Sequence, residues 1–495
     1  MNVPDVLGID RLADKNIMGS ITFKQGLSRQ PVFRRALVLA ACWGILSPML
    51  RGASTTSLIL KTAEGHVNFY KHTTPNDDPY TSNPTSSAIQ FMNTYWLRML
   101  TFSGYWDQNN KLSLYPNAWT YDDSYAIYSD PTDTFWAQLV QQHPDWILRD
   151  IHGNPVYVNW GCSGGTCPQY AANLTDPNGF RAWWINLAQP YLTRALPYKG
   201  LFIDDVNLDI SRVSDGYGNP TTPVDPNTGQ LMTAAAWASY FADYMAQVRA
   251  ALPGAELVHN SLWFLDWTDP SIQREIQAAD WINLERGVND PGLTGGTGYW
   301  SLNRLFSFID SVHANGKGVI LDGEAWVGSD SDTAREYSVA CYLLISTGSD
   351  MVGDSSQTPS YWWNGFTTDL GKAQNTRYSW QNLLRRDFAG GIALVNPPGS
   401  TSITVNLPGA FRRVNGPLVT TITLGPTEGA ILSALSPCDV NQDGVVNNLD
   451  VTAAIQQALS SVSCNSADTD KDGRCTAIDV QRVINAALGG ACVSP

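Results

Sequence analysis

The chain has 495 residues, a hydrophobic fraction of 43% and only 15% charged residues, which supplies a large core and excludes intrinsic disorder. Its formal net charge of -14, with no run of Lys or Arg, argues against polyanion binding, so no nucleic acid partner is expected. The 18 Trp and 20 Tyr suit two uses, the packing of a core and contact with the flat faces of sugars.

At the start, Arg34 and Arg35 precede the apolar run Ala36 to Leu50 and the small residues Gly52, Ala53 and Ser54. That is the pattern of an export signal over 1–53, cleaved near Ala53, with Met18 as an alternative first residue. The run is short for a membrane span and no other stretch is long enough, so the expected location is secreted or attached to the cell surface. Residues 54–87, rich in Thr, Pro, Asn and Asp, read as a linker or strap. Cys162 and Cys167 bracket Ser-Gly-Gly-Thr and could close a small disulfide ring; Cys341, in an apolar run, reads as an inert buried thiol.

From 88 to 385 the pattern becomes strand then helix. Trp96 to Phe102 is the first predicted core strand, and Ala118 to Tyr128 follows. His143 to Asn154 ends in a tight turn at Gly153. A helix over 179–196 leads into Lys199-Gly-Leu-Phe-Ile-Asp-Asp-Val-Asn207, whose short apolar run stops at two carboxylates, as a buried parallel strand does where its end opens into a site. Further units are a helix over 233–251, a strand over 256–261, a helix over 271–279, Trp281-Ile-Asn-Leu-Glu285, a helix over 301–315, Gly318 to Glu324 and a helix over 333–344. With no glycine-rich nucleotide fingerprint, this rhythm predicts a (β/α)8 TIM-type barrel rather than an open doubly wound sheet. Short strands separated by Pro and Gly over 386–435 predict a small antiparallel β-sandwich packed on the barrel.

The tail, 437–495, carries the most specific motif. Asp439, Asn441, Asp443, Asn447 and Asp450 stand at positions one, three, five, nine and twelve of a calcium loop with Gly444 at six. Asp468, Asp470, Asp472, Thr476 and Asp479 repeat it around Gly473. Each loop runs into a predicted helix. Duplicated loop-helix units with Asp at position twelve resemble a type I dockerin, which implies two calcium ions and docking to a cohesin-type module. The four tail cysteines depart from that family's common pattern. Cys438 with Cys492 and Cys464 with Cys475 is the expected pairing, one of three that four cysteines allow, and it implies reduced dependence on calcium.

Cleavage of a glycosidic bond needs a proton donor for the leaving oxygen and a second carboxylate, as nucleophile or as base for water. Acids at barrel strand ends can supply both. The candidates are Asp204 or Asp205 on the fourth strand, Glu285 on the sixth, and Asp322 or Glu324 on the seventh; the bland alternatives are helix caps and rim ion pairs. Because side chains alternate, Asp204 shares a side with Phe202, and Asp205 with Leu201 and Ile203. Desolvation at an apolar strand end raises the pKa of Glu285, as a general acid requires, while Arg286 opposes it; Glu324, near Trp326, is its rival. Asp205, Glu324, Asn260, Trp263, Trp106 and Asp122 are the expected substrate contacts. No cofactor is expected for catalysis. None of the six His are spaced as a zinc pair, and no Gly-x-Ser-x-Gly elbow lies between a strand and a helix.

Gly200-Leu-Phe-Ile-Asp204 is similar to the Gly-x-x-x-Asp strand-four signature of α-retaining glycosidase barrels, which implies a nucleophile role for Asp204. With His143-Pro-Asp-Trp-Ile-Leu-Arg-Asp-x-x-Gly-Asn154, Leu174-Thr-Asp-Pro177 and Leu424-Gly-Pro-Thr-Glu-Gly-Ala-Ile-Leu432, it resembles glycoside hydrolases of bacterial secreted proteins, with barrels similar to endo-α-1,4-polygalactosaminidase. The resemblance spans about 90 to 435 and implies an Asp on strand four and a Glu on strand six, here Asp204 and Glu285. The expected function is a secreted glycoside hydrolase acting on a polysaccharide or oligosaccharide; the alternative is a non-catalytic carbohydrate-binding or scaffold component.

Overall fold

The structure, a computed structural model, describes residues 61–73, 79–107, 110–261, 266–323, 331–353, 361–459 and 462–492. The predicted signal, the start of the strap, Trp263 and Glu324 lie outside the described residues. Among the described residues no helix is long and apolar enough to cross a membrane.

Eight parallel strands close a barrel in sequence order: β1 (Phe69–His72), β2 (Arg98–Thr101), β3 (Ala118–Asp123), β4 (Gly200–Val206), β5 (Glu256–Ser261), β6 (Trp281–Glu285), β7 (Gly318–Asp322) and β8 (Met351–Gly353), with β8 pairing back onto β1. This is the TIM-type barrel expected. Residues 54–87 are not all strap, however, because β1 lies among them. Four strand residues amid Thr, Pro and Asn give too short a signal to read, so the strand predicted at 96–102 is the second. Among the connecting helices are α1 (Ser86–Tyr95), α2 (Thr134–Gln142), α3 (Phe180–Thr193), α4 (Ala234–Ala251), α5 (Pro270–Ala278), α6 (Leu302–Ala314) and α7 (Asp332–Ile345). Side chains of Thr233, Asp269, Ser301 and Ser331 accept backbone N–H groups at the starts of α4 to α7, which is why those boundaries were legible.

Each barrel strand sends one apolar residue into a shared interior cluster: Tyr70, Leu100, Trp119, Phe202, Val258, Trp281, Ile320 and Met351. At the strand starts Glu256 is held by Arg98 Nη2 at 2.6 Å and Nε at 2.8 Å, and by Trp119 Nε1 at 2.7 Å. Paired on all sides, this buried charge closes the floor. Gly200 has a packing reason, since a Cβ there would sit 1.7 Å from the Glu256 carbonyl oxygen.

A second, four-stranded antiparallel sheet, unanticipated from sequence, joins 126–128, 169–171, 157–158 and 213–214 beyond the ends of β3 and β4. The predicted Cys162–Cys167 disulfide forms beside it. After the barrel come β9 (Tyr378–Trp380), β10 (Leu383–Phe388), β11 (Gly391–Asn396), β12 (Ile403–Arg413), β13 (Leu418–Leu424) and β14 (Glu428–Ala434). They begin ahead of the expected boundary at 386 and pair as one six-stranded antiparallel sheet, in the order β9-β10-β11-β14-β12-β13. One apolar cluster, including Ile392, Leu394, Ile422 and Leu432, is the sheet's own, while Ala393, Val395 and Ile431 join the barrel's core. Glu336 of α7 ties the two parts by accepting Arg413 Nη2 at 2.7 Å and the Ile431 N–H at 3.0 Å.

In the tail, α8 (Asn448–Ala458) and α9 (Ala477–Ala487) each start in a capping box. Cys438 pairs with Cys492 and Cys464 with Cys475, as expected, and Cys341 is buried and free.

Candidate functional site

The site is built by strand alternation. Counting on by twos from the interior residues Trp119, Phe202, Val258 and Trp281 gives Tyr121 and Asp123, Asp204, Asn260, and Asn283 and Glu285 at the C-terminal barrel mouth. The Asn260 amide nitrogen lies 2.7 Å from Asp204 Oδ1 and 3.2 Å from Glu285 Oε2, and its oxygen accepts Asn283 Nδ2 at 3.2 Å. One side chain therefore joins the two predicted acids, whose acceptor oxygens turn its nitrogen toward them. Asp204 Oδ1 also accepts the Asp205 N–H at 2.8 Å, and Oδ2 accepts the Tyr121 hydroxyl at 2.5 Å. Three donors thus orient the Asp204 carboxylate.

Asp205 escapes simple alternation. The register of β4 against β5 shifts between Ile203 and Val206, and Asp205 takes a left-handed conformation at φ 53°, a bulge that turns it toward the acids rather than the barrel wall. Burial, then the charges of Asp204 and Asp123, holds its carboxyl well above the usual range, and Asn207 Nδ2 donates to it at 2.9 Å. Glu285 is open to the barrel mouth but walled by protein; burial, then the Asp204 charge, raises its pKa, against the lowering effects of Asn260, Arg286 and Arg212. The sequence reading of Glu285 as a raised acid with Arg286 in opposition agrees with this balance.

Two expected contacts fall elsewhere. Asp122 has the wrong parity: it faces the helices, beside Trp184 of α3, whose indole N–H donates to the Asp123 carbonyl at 2.8 Å, and its charge bears on Tyr244 of α4. Its neighbour Asp123 takes the place in the site. Trp106 is fully buried in the core, its indole N–H directed at the Tyr115 carbonyl at 3.4 Å, with no face for a sugar. Tyr121, Asp123 and Asn283 were missed, although the alternation that puts Asp204 on the side of Phe202 would have found them once Trp119 and Trp281 were placed inside the barrel.

In the tail, carboxylate oxygens of Asp439, Asp443 and Asp450 lie within 4.8 Å of one another, as do those of Asp468, Asp470 and Asp472. Asp439 Oδ1 is buried without a hydrogen-bond partner, the condition of an oxygen placed for a cation. Such hard oxygen donors fit calcium, with Asn441 adjoining the first set through Asp443. Asn447 and Thr476, expected as ligands, cap α8 and α9 by accepting the N–H groups of Leu449 and Ile478. Asp479 accepts the hydroxyls and N–H groups of Thr469 and Thr476 on its two oxygens, as Asp450 accepts the N–H groups of Asn441 and Asn447 in the first loop.

The profile of the hypothetical glycosyl hydrolase family 15 matches residues 110–392, and that of the dockerin type I domain matches 437–488. No curated protein matches the chain. Among solved structures, the glycoside hydrolase domain of PelA from Pseudomonas aeruginosa is 13% identical, with 59% of this chain and 96% of that chain covered and a TM-score of 0.35. TtGalA, the alpha-galactosidase from Thermus thermophilus, is 16% identical over 62% of this chain and 61% of its own, with a TM-score of 0.36. The alpha-galactosidase AgaA from Geobacillus stearothermophilus is 11% identical over 76% and 57%, with a TM-score of 0.41.

Proposed function

This chain belongs to the hypothetical glycosyl hydrolase family 15, as a glycoside hydrolase bearing a calcium-binding type I dockerin, and from that premise we propose that it cleaves O-glycosidic bonds of a polysaccharide with retention, Asp204 acting as nucleophile and Glu285 as acid and base. The observation that carries this reading is the shared Asn260 amide. The two oxygens held by this one nitrogen, at 2.7 and 3.2 Å, stand no more than about 5.9 Å apart, which makes the carboxyl groups close neighbours and is compatible with the roughly 5–5.5 Å separation of retaining pairs.

In the first step an Asp204 oxygen bonds to the anomeric carbon as the glycosidic C–O bond breaks, and the leaving oxygen takes the proton of Glu285. In the second, Glu285 removes a proton from water, whose oxygen displaces Asp204 and restores both carboxyls. The raised Glu285 pKa supports the acid role, since a group that titrates nearer neutrality holds its proton for delivery. After ester formation the Asp204 charge is gone, one of the influences that raise Glu285, so its pKa falls toward that of a base. Attack at α-linkages is the reading favoured by Gly200 to Asp204 on the fourth strand.

The dockerin reading includes two calcium ions, held by Asp439, Asn441, Asp443 and Asp450 in the first loop and by Asp468, Asp470 and Asp472 in the second. A cohesin-type module is the proposed partner: Leu449 and Leu459 in the first repeat and Ile478 and Leu488 in the second are exposed apolar residues at equivalent places. Such an assembly operates outside the cytoplasm, on the cell surface or in the medium.

The test is a reducing-end assay on a panel of α- and β-linked polysaccharides with the wild type, Asp204→Asn and Glu285→Gln, and the product anomer read by NMR. Hydrolysis lost about a hundredfold or more in both variants, with a retained anomer, is expected. An inverted anomer would remove the nucleophile role from Asp204. Survival in Glu285→Gln would move the acid to another residue, and glycan binding without any hydrolysis would favour the non-catalytic alternative.

A further inference from the structure

Tyr121 stands between two carboxyl groups. Its hydroxyl oxygen is 2.5 Å from Asp204 Oδ2 and 2.8 Å from Asp123 Oδ1. A phenol carries one proton, so it can donate to only one of them. If both acids were charged, the remaining contact would press two oxygens together with no hydrogen between them. Two short contacts therefore call for a second proton.

The surroundings of Asp123 say where that proton resides. Its Oδ2 accepts the Tyr128 hydroxyl at 2.6 Å and Gln169 Nε2 at 3.1 Å. The Gln169 amide cannot turn over cheaply, because its oxygen accepts Trp160 Nε1 at 2.6 Å. Oδ2 is thus committed to accepting and Oδ1 is left to carry hydrogen. The groups facing Asp123 are Tyr121 on its own strand, Tyr125 and Tyr128 just beyond it, Gln169 from the small sheet, and Asp204 and Asp205 from β4. Burial first, and the Asp204 charge second, push its carboxyl up to about 6.

We propose that Asp123 is a positioning residue that acts as a neutral acid: it donates to Tyr121, which is thereby committed to donate to Asp204 and holds the nucleophile in line. The small sheet beyond the barrel gains a role from this, because it brings Gln169 and Trp160 to the far side of Asp123. When Asp123 loses its proton, it competes for the Tyr121 hydrogen and repels Asp204. This inference rests on Asp204 being the nucleophile, and its test keeps the two separable.

The experiment measures kcat/KM from about pH 4.5 to about pH 8 for the full chain and for Asp123→Asn, Tyr121→Phe and the double variant, on the polysaccharide that the wild type hydrolyses. Asparagine at 123 keeps a permanent N–H donor toward Tyr121 and an oxygen toward Tyr128 and Gln169. Glu285 titrates in both proteins and cancels in the ratio of Asp123→Asn to wild type. A group of pKa about 6 is about nine-tenths protonated at pH 5 and about one-tenth at pH 7, so the ratio is expected to rise about tenfold between them. At pH 5, where Asp123 holds its proton, the double variant should match Tyr121→Phe, because the neutral acid works through Tyr121. A flat ratio, with Asp204→Asn inactive, overturns the inference and leaves the nucleophile in place; an active Asp204→Asn overturns the nucleophile itself.

A second readout needs no substrate. Carbon-13 NMR of the full chain labelled at aspartate carboxyls, with Asp123 assigned from Asp123→Asn, should show a titration near 6 whose midpoint falls in Asp204→Asn. A midpoint in the ordinary carboxylate range refutes the proposal whatever the kinetics.

Discussion

Removing the clasp at the ends of the dockerin, by Cys438→Ser with Cys492→Ser, tests how much of that domain's folding depends on calcium. The bond spans 54 positions, and the chain-entropy relation for such a loop gives about 4 kcal/mol, roughly a thousandfold in the folding equilibrium. The inner bond, Cys464 to Cys475, spans 11 positions and gives about 3 kcal/mol alone, but the loops are nested and the two figures do not add. The expectation is that the wild-type dockerin stays folded in a chelator, whereas the variant folds only with calcium. Residues 437–495 contain no Trp, Tyr or Phe, so the barrel's fluorescence is silent about them. Hydrogen exchange followed by mass spectrometry on peptides covering α8 and α9 reads them directly. In EDTA those amides should exchange about a thousandfold faster in the variant than in the wild type, with protection restored by calcium. Equal protection of the two proteins in EDTA would refute the reasoning.

Other expectations concern the barrel. Asp123 titrates at about 6 in the fold against about 4 unfolded, so its destabilising effect is absent below the unfolded value, builds up between about pH 4 and about pH 6, and levels off above 6 at a loss of about 3 kcal/mol. Asp123→Asn should therefore raise the denaturant midpoint at pH 7.5 and leave it nearly unchanged at pH 4. Trp106→Ala should destabilise by about 3–5 kcal/mol, seen in a urea titration, while kcat/KM of the folded fraction stays at the wild-type value; a raised KM would restore Trp106 to the substrate site. Arg98→Met should cost about 3–5 kcal/mol by leaving Glu256 buried and unpaired, and adding Glu256→Leu should recover most of it, again by denaturant titration.

What could be read from sequence followed the range of the forces involved. The calcium loops are local, and spacing alone exposed them; the tail disulfides were one of three pairings that four cysteines allow, and only the fold, which brings Cys438 to Cys492 across 54 positions, selects it. Strand-helix units with capped helices were legible, and an apolar run ending in an acid led to Asp204 and Glu285. Parity was harder: Ala118–Asp123 carries polar or aromatic groups on both faces, so choosing Asp123 over Asp122 required knowing that Trp119 points inward. The bulge at Asp205 depends on pairing with β5, a long-range event. Trp106 was misjudged because a heavy aromatic load serves a large core as readily as a sugar surface.

The joint between α7 and the antiparallel sheet bears on how such a chain could be recombined. Arg386 Nη1 donates to the carbonyls of Leu343 and Ser346 at 2.9 and 2.7 Å, and Glu336 receives both Arg413 and the Ile431 N–H. These bonds satisfy polar groups buried on the barrel's side as well as the sheet's. A gene cut between 353 and 378 would strand charges in apolar surroundings on both fragments. A cut near 436, just ahead of the clasped tail, would strand none of these groups. On these bonds the barrel and sheet make one unit for recombination, and the dockerin is the piece whose exchange would leave that unit's buried charges paired.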